Sequence, residues 1–217
     1  MDKLRMQTAN KADENFKKLA AMFPNAVTET INENGEVVRA IDKDVLMQEI
    51  SCTVVDGNEE RYQFTWPDKK KAVRLANAPI NKTLRPCREE SVDFDNTENL
   101  YIEGDNLDVL KLLRETYLNR VKMIYIDPPY NTGARDWKYN NDYVDANDVY
   151  RHSKWLSMMK KRLQIAKNLL KESGILIITI DDNELSHLDC LLLDILPEYD
   201  RFIVTIEHSK RGRRGKN

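Results

Sequence analysis

The sequence contains no run of eighteen apolar residues, which excludes a transmembrane helix. Its opening, Met1-Asp2-Lys3-Leu4-Arg5, lacks the apolar stretch of a secretory signal. Cysteine is scarce: Cys52, Cys87 and Cys190 are odd in number and far apart. That argues against a disulfide framework and a cysteine-based zinc site, and fits a reducing cytoplasm. His152, His187 and His208 are isolated along the chain, with no partner at ligand spacing, so no metal is assigned. Basic charge is not in excess either: 34 Lys and Arg face 36 Asp and Glu, a net charge of −2. Any attraction for nucleic acid must come from local patches. There is no internal repeat and no low-complexity tract.

What is present is a 217-residue chain, 41% hydrophobic and 32% charged, enough for one domain and a smaller second unit. Residues 1–60 read as a helical and hairpin extension. Phe16, Leu19, Ala20 and Phe23 recur at helical spacing within residues 9–23, and Pro24-Asn25 ends that helix. A short helix is expected at 42–50. The β-prone runs 50–55 and 60–66 flank Asp56-Gly57-Asn58, a hairpin signal. Residues 61–99, with Pro67, Pro79 and Pro86, read as a connector with a short helix at 69–77. Lys69-Lys70-Lys71 reads as a solvated face.

Between 100 and 207 strands and helices alternate. Strands are expected at 100–103, 121–126, 175–180 and 202–206, and helices at 105–118, 155–172 and 183–196. Residues 127–150 read as a polar, aromatic-rich loop. Gly174 is the expected stop of the second helix. The strand at 175–180 is apolar on both faces, the mark of a central strand. Trp155, Met158 and Met159 belong to the core by their spacing. This alternation predicts an α/β fold with a parallel sheet covered on both faces.

In open α/β sheets, ligands gather beyond the carboxyl ends of the strands. Three expected strand ends are followed by Glu103-Gly104-Asp105-Asn106, by Asp127-Pro128-Pro129-Tyr130-Asn131-Thr132-Gly133, and by Asp181-Asp182-Asn183. Asp181 and Asp182 read more readily as caps of the next helix than as site residues. The middle string has its own chemistry. Each proline holds the residue before it extended, and neither has an N–H to donate. A carboxylate and a free carbonyl make two acceptors, which match an exocyclic NH2 with two donors. Tyr130 adds a flat ring for stacking on a base. An enzyme that modifies a base must extrude it and grip it by stacking and edge contacts.

These residues resemble motif IV of the amino-methyltransferases acting on DNA. Together with Leu100-Tyr101-Ile102-Glu103-Gly104-Asp105-Asn106-Leu107 and Ile180-Asp181-Asp182-Asn183-Glu184, they resemble the modification subunits of type III restriction systems. Thr65-Trp66-Pro67 and Thr83-Leu84-Arg85-Pro86 are similar to that family too, so the resemblance spans about residues 60–207. It implies an incomplete Rossmann-like sheet dependent on S-adenosylmethionine (AdoMet), with an α+β amino-terminal extension. It implies methyl transfer to the N6 of a flipped adenine, with Asp127, Pro128, Pro129 and Tyr130 as the catalytic turn. An acidic first residue favours adenine over cytosine. Gly104, Asp105 and Asn106 would meet the cofactor, although Asp105 also reads as a helix cap. The implied partners are double-stranded DNA, a restriction subunit and a second modification subunit.

The sequence departs from the family in one respect. Relatives carry a Phe-x-Gly-x-Gly turn for AdoMet after a recognition region, whereas this chain has seven glycines and no Gly-x-Gly. It therefore reads as a truncated piece, inactive alone. Residues 208–217 form a basic tail in which Arg211, Arg213 and Arg214 are candidate phosphate contacts or a solvated end. Two other readings are a non-catalytic module, using residues 1–60 to dock restriction or modification subunits, and a release-factor or RNA amino-methyltransferase. The strings flanking the turn argue against the second. An AdoMet titration of the isolated chain is expected to show only weak binding, and a tight complex would contradict the role given to the absent glycine turn.

Overall fold

A computed structural model describes residues 8, 10–50, 64–139 and 142–206. The hairpin expected around Asp56-Gly57-Asn58 and the basic residues Arg211, Arg213 and Arg214 lie outside the described residues. No helix among the described residues is long and apolar enough to cross a membrane.

The first helix, α1 (Lys11–Met22), starts at Asn10, whose side chain accepts from the N–H groups of Ala12 and Asp13. An antiparallel hairpin follows, β1 (Val27–Ile31) with β2 (Val37–Ile41), which the sequence reading did not include. Its signal is Asn34-Gly35 between two β-branched runs. Gly35 takes a φ of +79°, and the Asn32 carboxamide accepts from the N–H groups of Asn34 and Glu36. Asp42 then caps α2 (Lys43–Ile50), accepting from Asp44 and Val45.

The helices α3 (Lys69–Asn77) and α4 (Asn106–Tyr117) form where their periodicity placed them. The strand β3 (Val121–Ile126) follows. The stretch expected as a loop then folds into a second antiparallel hairpin, β4 (Ala134–Tyr139) with β5 (Asp142–Asp145). Next come α5 (Arg151–Leu169), β6 (Leu170–Ile178) and α6 (Leu185–Ile195).

The helix α5 is the hub, packing against α3, α4 and α6. Trp155, Leu156, Met159 and Leu163 meet Leu188, Leu191 and Ile195 of α6 in one buried cluster that also takes in Trp66, Trp137 and Val144. Several polar groups among these helices are paired. The Trp66 indole donates to Ser157 Oγ at 3.0 Å, and Lys111 Nζ donates to the Ala78 carbonyl at 2.9 Å. Asp194 joins three helices by accepting from Lys160 at 2.7 Å and Lys69 at 2.8 Å. Partial burial alone would raise its pKa, but the two lysine bonds outweigh that and hold it below the ordinary value. Lys69 is thus committed to α6, which corrects its reading as solvated; Lys70 and Lys71 do face solvent.

The parallel sheet is narrower than the alternation suggested. The strand β3 pairs with β6 in register Met123↔Ile175, Tyr125↔Ile177 and Ile126↔Ile178. Residues 100–103 and 202–206 are not strands: both lie outside any ladder, with Tyr101 93% and Phe202 86% exposed. Their β-prone composition describes a tendency, and a strand needs a neighbour to accept its backbone bonds. For the same reason β6 is not central, because β3 is its partner among the described residues. One face of the pair leaves Met123, Tyr125, Ile175 and Ile177 exposed. The helix α5 also stops at Leu169, before Gly174, which instead lies in the irregular stretch of β6.

The Asp194 knot makes a stability prediction. Asp194→Ala leaves Lys160 buried without its counter-charge and is expected to cost about 2–3 kcal/mol, discounted from a fully buried pair because Asp194 keeps some solvent contact. Urea denaturation of Asp194→Ala beside the Lys160→Met, Asp194→Leu double variant checks this. The double variant is expected to recover most of the loss.

Candidate active site

Parallel pairing lays the carboxyl ends of β3 and β6 side by side. Thr179, the first residue after β6, donates its N–H to the Ile126 carbonyl at 3.1 Å. Its hydroxyl donates to Asp127 Oδ1 at 2.6 Å. Asp127 is exposed at the rim, with its Oδ1 anchored by Thr179. The Thr179 bond, followed by one from Tyr130, holds the Asp127 carboxyl below its ordinary pKa. Asp127 therefore carries its charge throughout the neutral range. Thr179 works to acidify the Tyr130 phenol, but the hydrogen bond to Asp127 and desolvation prevail, so that pKa is raised.

The two proline carbonyls part company. Pro129 oxygen accepts from the indole N–H of Trp155 at 2.7 Å. The Pro128 carbonyl accepts no hydrogen bond among the described residues. Of the two oxygens considered beside Asp127, only that of Pro128 is free for a ligand. Pro128, Pro129 and Tyr130 are half-buried, so the turn is seated on the core and its acidic edge is open.

Below the turn the chain reverses. Asn131 is fully buried with φ +58°. Its amide nitrogen donates to Glu184 Oε1, and its oxygen accepts from Trp137 Nε1 at 3.1 Å. Glu184 is also fully buried. His152 and His187, isolated in sequence, come together on it, with Nδ1 atoms 2.7 Å and 3.0 Å from its two oxygens. Gly133 has a φ of +84°, and a Cβ there would lie 2.5 Å from the Ala146 Cβ and 2.7 Å from its Cα. Only glycine lets β4 and β5 close over this point. Trp137 and Tyr139 pack into the core, while Tyr143 stays exposed beneath Lys138, whose Nζ lies 4.6 Å from its ring centre.

Gly104, Asp105 and Asn106 sit at the start of α4. Gly104 has a φ of +152°, and Asp105 Oδ1 caps the helix by accepting from Leu107 and Asp108. Asn106 Oδ1 accepts from Arg162 Nε at 2.6 Å. Arg162 lies seven residues beyond Trp155 on α5, which is about 10 Å along the helix. These residues thus flank the same helix that seats the proline turn. Asp181 accepts from the backbone N–H and side-chain amide of its neighbour Asn183. The cap of α6 is Glu184, without a side-chain cap bond.

Three contributors escaped the sequence reading: Thr179, the Trp155 indole and the pair Asn131–Glu184. Thr179 becomes visible only when β6 is paired with β3. The other two contacts cross 26 and 53 positions of chain.

Comparison with known proteins bears on the same segment. Residues 121–212 match the N6_N4_Mtase family of DNA methylases. The chain is 35% identical over 195 residues to the Mod subunit of the type III restriction-modification enzyme EcoPI of Escherichia phage P1, covering 78% of this chain and 29% of that protein. It is 33% identical over 209 residues to the EcoP15I Mod subunit of Escherichia coli, covering 85% of this chain and 32% of that one. It is 38% identical over 126 residues to the type II methyltransferase M.KpnI of Klebsiella pneumoniae, covering 57% and 30%. The chain thus spans about a third of the length of these relatives.

Thr179→Val is expected to raise the Asp127 pKa toward the ordinary value of about 3.9, as read by carboxyl NMR titration. The sign follows from the lowered folded pKa. Stability from this bond is present above the unfolded pKa and is lost as pH falls through the folded one. The variant should therefore flatten the acid limb of the stability profile. Gly133→Ala is expected to destabilise by more than about 1 kcal/mol, by a thermal or urea midpoint, because the added carbon meets backbone.

Proposed function

We propose that this chain, which is similar over most of its length to type III modification subunits, provides the catalytic turn for adenine-N6 methylation of double-stranded DNA. The observation that carries this reading is the exposed Asp127 carboxylate, oriented by Thr179, beside the free Pro128 carbonyl.

The adenine amino nitrogen is a poor nucleophile because its lone pair is delocalised into the ring. Asp127 and the Pro128 carbonyl accept its two N–H groups, which draws the nitrogen toward a tetrahedral shape and frees the lone pair. Thr179 anchors the carboxylate through Oδ1, and the exposed edge of Asp127 meets the amine. Trp155 locks the following peptide, so the Pro128 oxygen keeps its direction. Tyr130 stacks on the extruded base. As the nitrogen takes up the methyl group it gains positive charge, which the adjacent Asp127 carboxylate stabilises without reorganisation. Positioning and electrostatics supply the catalysis.

When bound, AdoMet supplies a methyl made electrophilic by its sulfonium. Gly104, Asp105 and Asn106 fit it in chemistry. Gly104 holds a backbone shape that L-residues rarely adopt, and a Cβ there would meet Val109 Cγ2 at 3.6 Å. Asp105 Oδ2 is 4.0 Å from Arg162 Nη2 on a well-exposed side chain, an acceptor for a ligand hydroxyl. In the same reading, a restriction subunit and a second modification subunit are the protein partners, and the basic Arg211, Arg213 and Arg214 contact phosphate. A docking module without catalysis is the second reading, favoured by the open apolar face of Met123, Tyr125, Ile175 and Ile177.

Labelled-methyl transfer to DNA, with the remainder of a full-length modification subunit supplied, separates the two. Asp127→Ala is expected to lose at least about 100-fold in rate while its circular dichroism matches the parent. Unchanged transfer removes Asp127 from the chemistry and favours the docking reading.

A further inference from the structure

The amino-terminal ends of α5 and α6 meet behind the catalytic turn, and three ligand-type atoms converge there. His152 Nδ1 lies 2.7 Å from Glu184 Oε1, and His187 Nδ1 lies 3.0 Å from Glu184 Oε2. One ligand atom from each of the three residues can be chosen so that all lie within 4.8 Å of one another. The imidazoles are stacked, 4.5 Å between centres and 23° apart in plane.

We propose that His152, Glu184 and His187 bind one divalent ion of the zinc class. Two imidazole nitrogens and one carboxylate are a donor set for such ions, and are too poor in oxygen for magnesium or calcium. Hydrogen bonding alone satisfies only half the cluster. Oε1 accepts from Asn131 and faces His152. Oε2 of Glu184 and Nδ1 of His187 are both buried and lack a hydrogen-bond partner among the described residues, despite facing each other. A cation between them satisfies both.

The dimensions are close to those required. Ligands at about 2.0–2.1 Å from a tetrahedral ion stand about 3.3 Å apart, so the observed gaps open by a few tenths of an ångström. Asn131, held by Trp137, steadies the carboxylate from behind. The positive ends of the two helices suit an anionic Glu184. The histidine side chains are 34% and 37% exposed, which gives an ion its way in.

One contact must yield. Arg151 Nε donates to His152 Nε2 at 3.1 Å, which leaves the ring proton on Nδ1, toward Glu184. Ion entry sends the Nδ1 proton to solvent or on to Nε2, and Arg151, on the partly exposed first turn of α5, swings away. The bound ion then ties α5 and α6 together behind Asn131. Ion uptake at this cluster can be read whether or not the chain transfers methyl groups.

The test uses the full chain, stripped of metal with a chelator, and titrated with Zn(II) by calorimetry and with Co(II) by visible absorption. The expected result is one ion per chain, with cobalt bands of low symmetry and no thiolate charge-transfer band. His187→Gln and Glu184→Gln should lose stoichiometric uptake, His208→Gln should keep it, and Arg151→Ala should bind at least as tightly. Absence of uptake by the parent, a thiolate band, or uptake undiminished in a His152→Gln, His187→Gln double variant overturns the proposal. The cobalt spectrum is read on the parent, so a variant that folds poorly leaves the test intact.

Discussion

The bond from the Trp155 indole to the Pro129 carbonyl joins the core to the proline turn. Trp155 is the most enclosed large side chain of the hub helix, packed among Met159, Leu163 and α6. Its N–H would be costly to bury without an acceptor, and the proline turn provides a carbonyl that no ladder uses. Each side satisfies the other. The stability of the helical layer is thereby spent on holding a solvent-facing turn in one shape.

That bond also assigns the oxygens of the turn. A pair of prolines presents two carbonyls, and either suits an amine acceptor on composition alone. With one of them committed to Trp155, the remaining acceptors are the Pro128 carbonyl and the exposed edge of the carboxylate that Thr179 anchors. The contact from Thr179 depends in turn on the parallel register that ends β3 and β6 together. Core, sheet and turn form one chain of constraint. Asn131 extends it inward, where Glu184 gathers side chains from three separate segments.

The helices were legible because their apolar spacing is a local property. Phe16, Leu19 and Phe23, or Trp155, Met159 and Leu163, announce an apolar stripe whatever they pack against. The strands were less so. Residues 121–126 and 175–178 found each other, whereas 100–103 and 202–206, as apolar in composition, found no neighbour among the described residues. A hairpin such as β1–β2 carried its signal in Asn34-Gly35, and β4–β5 carried little beyond alternation. The lysine run misled because charge says nothing about a partner such as Asp194, 125 positions away.

By itself, the sequence determined the helices, the acidic proline turn and its resemblance to DNA amino-methyltransferases, because these rest on spacing and on backbone stiffness within a few residues. Tertiary structure alone decided which carbonyl is free, which hydroxyl orients the carboxylate, and that two scattered histidines share one buried glutamate. Those outcomes depend on which distant segments touch, and the linear order of residues does not record contact.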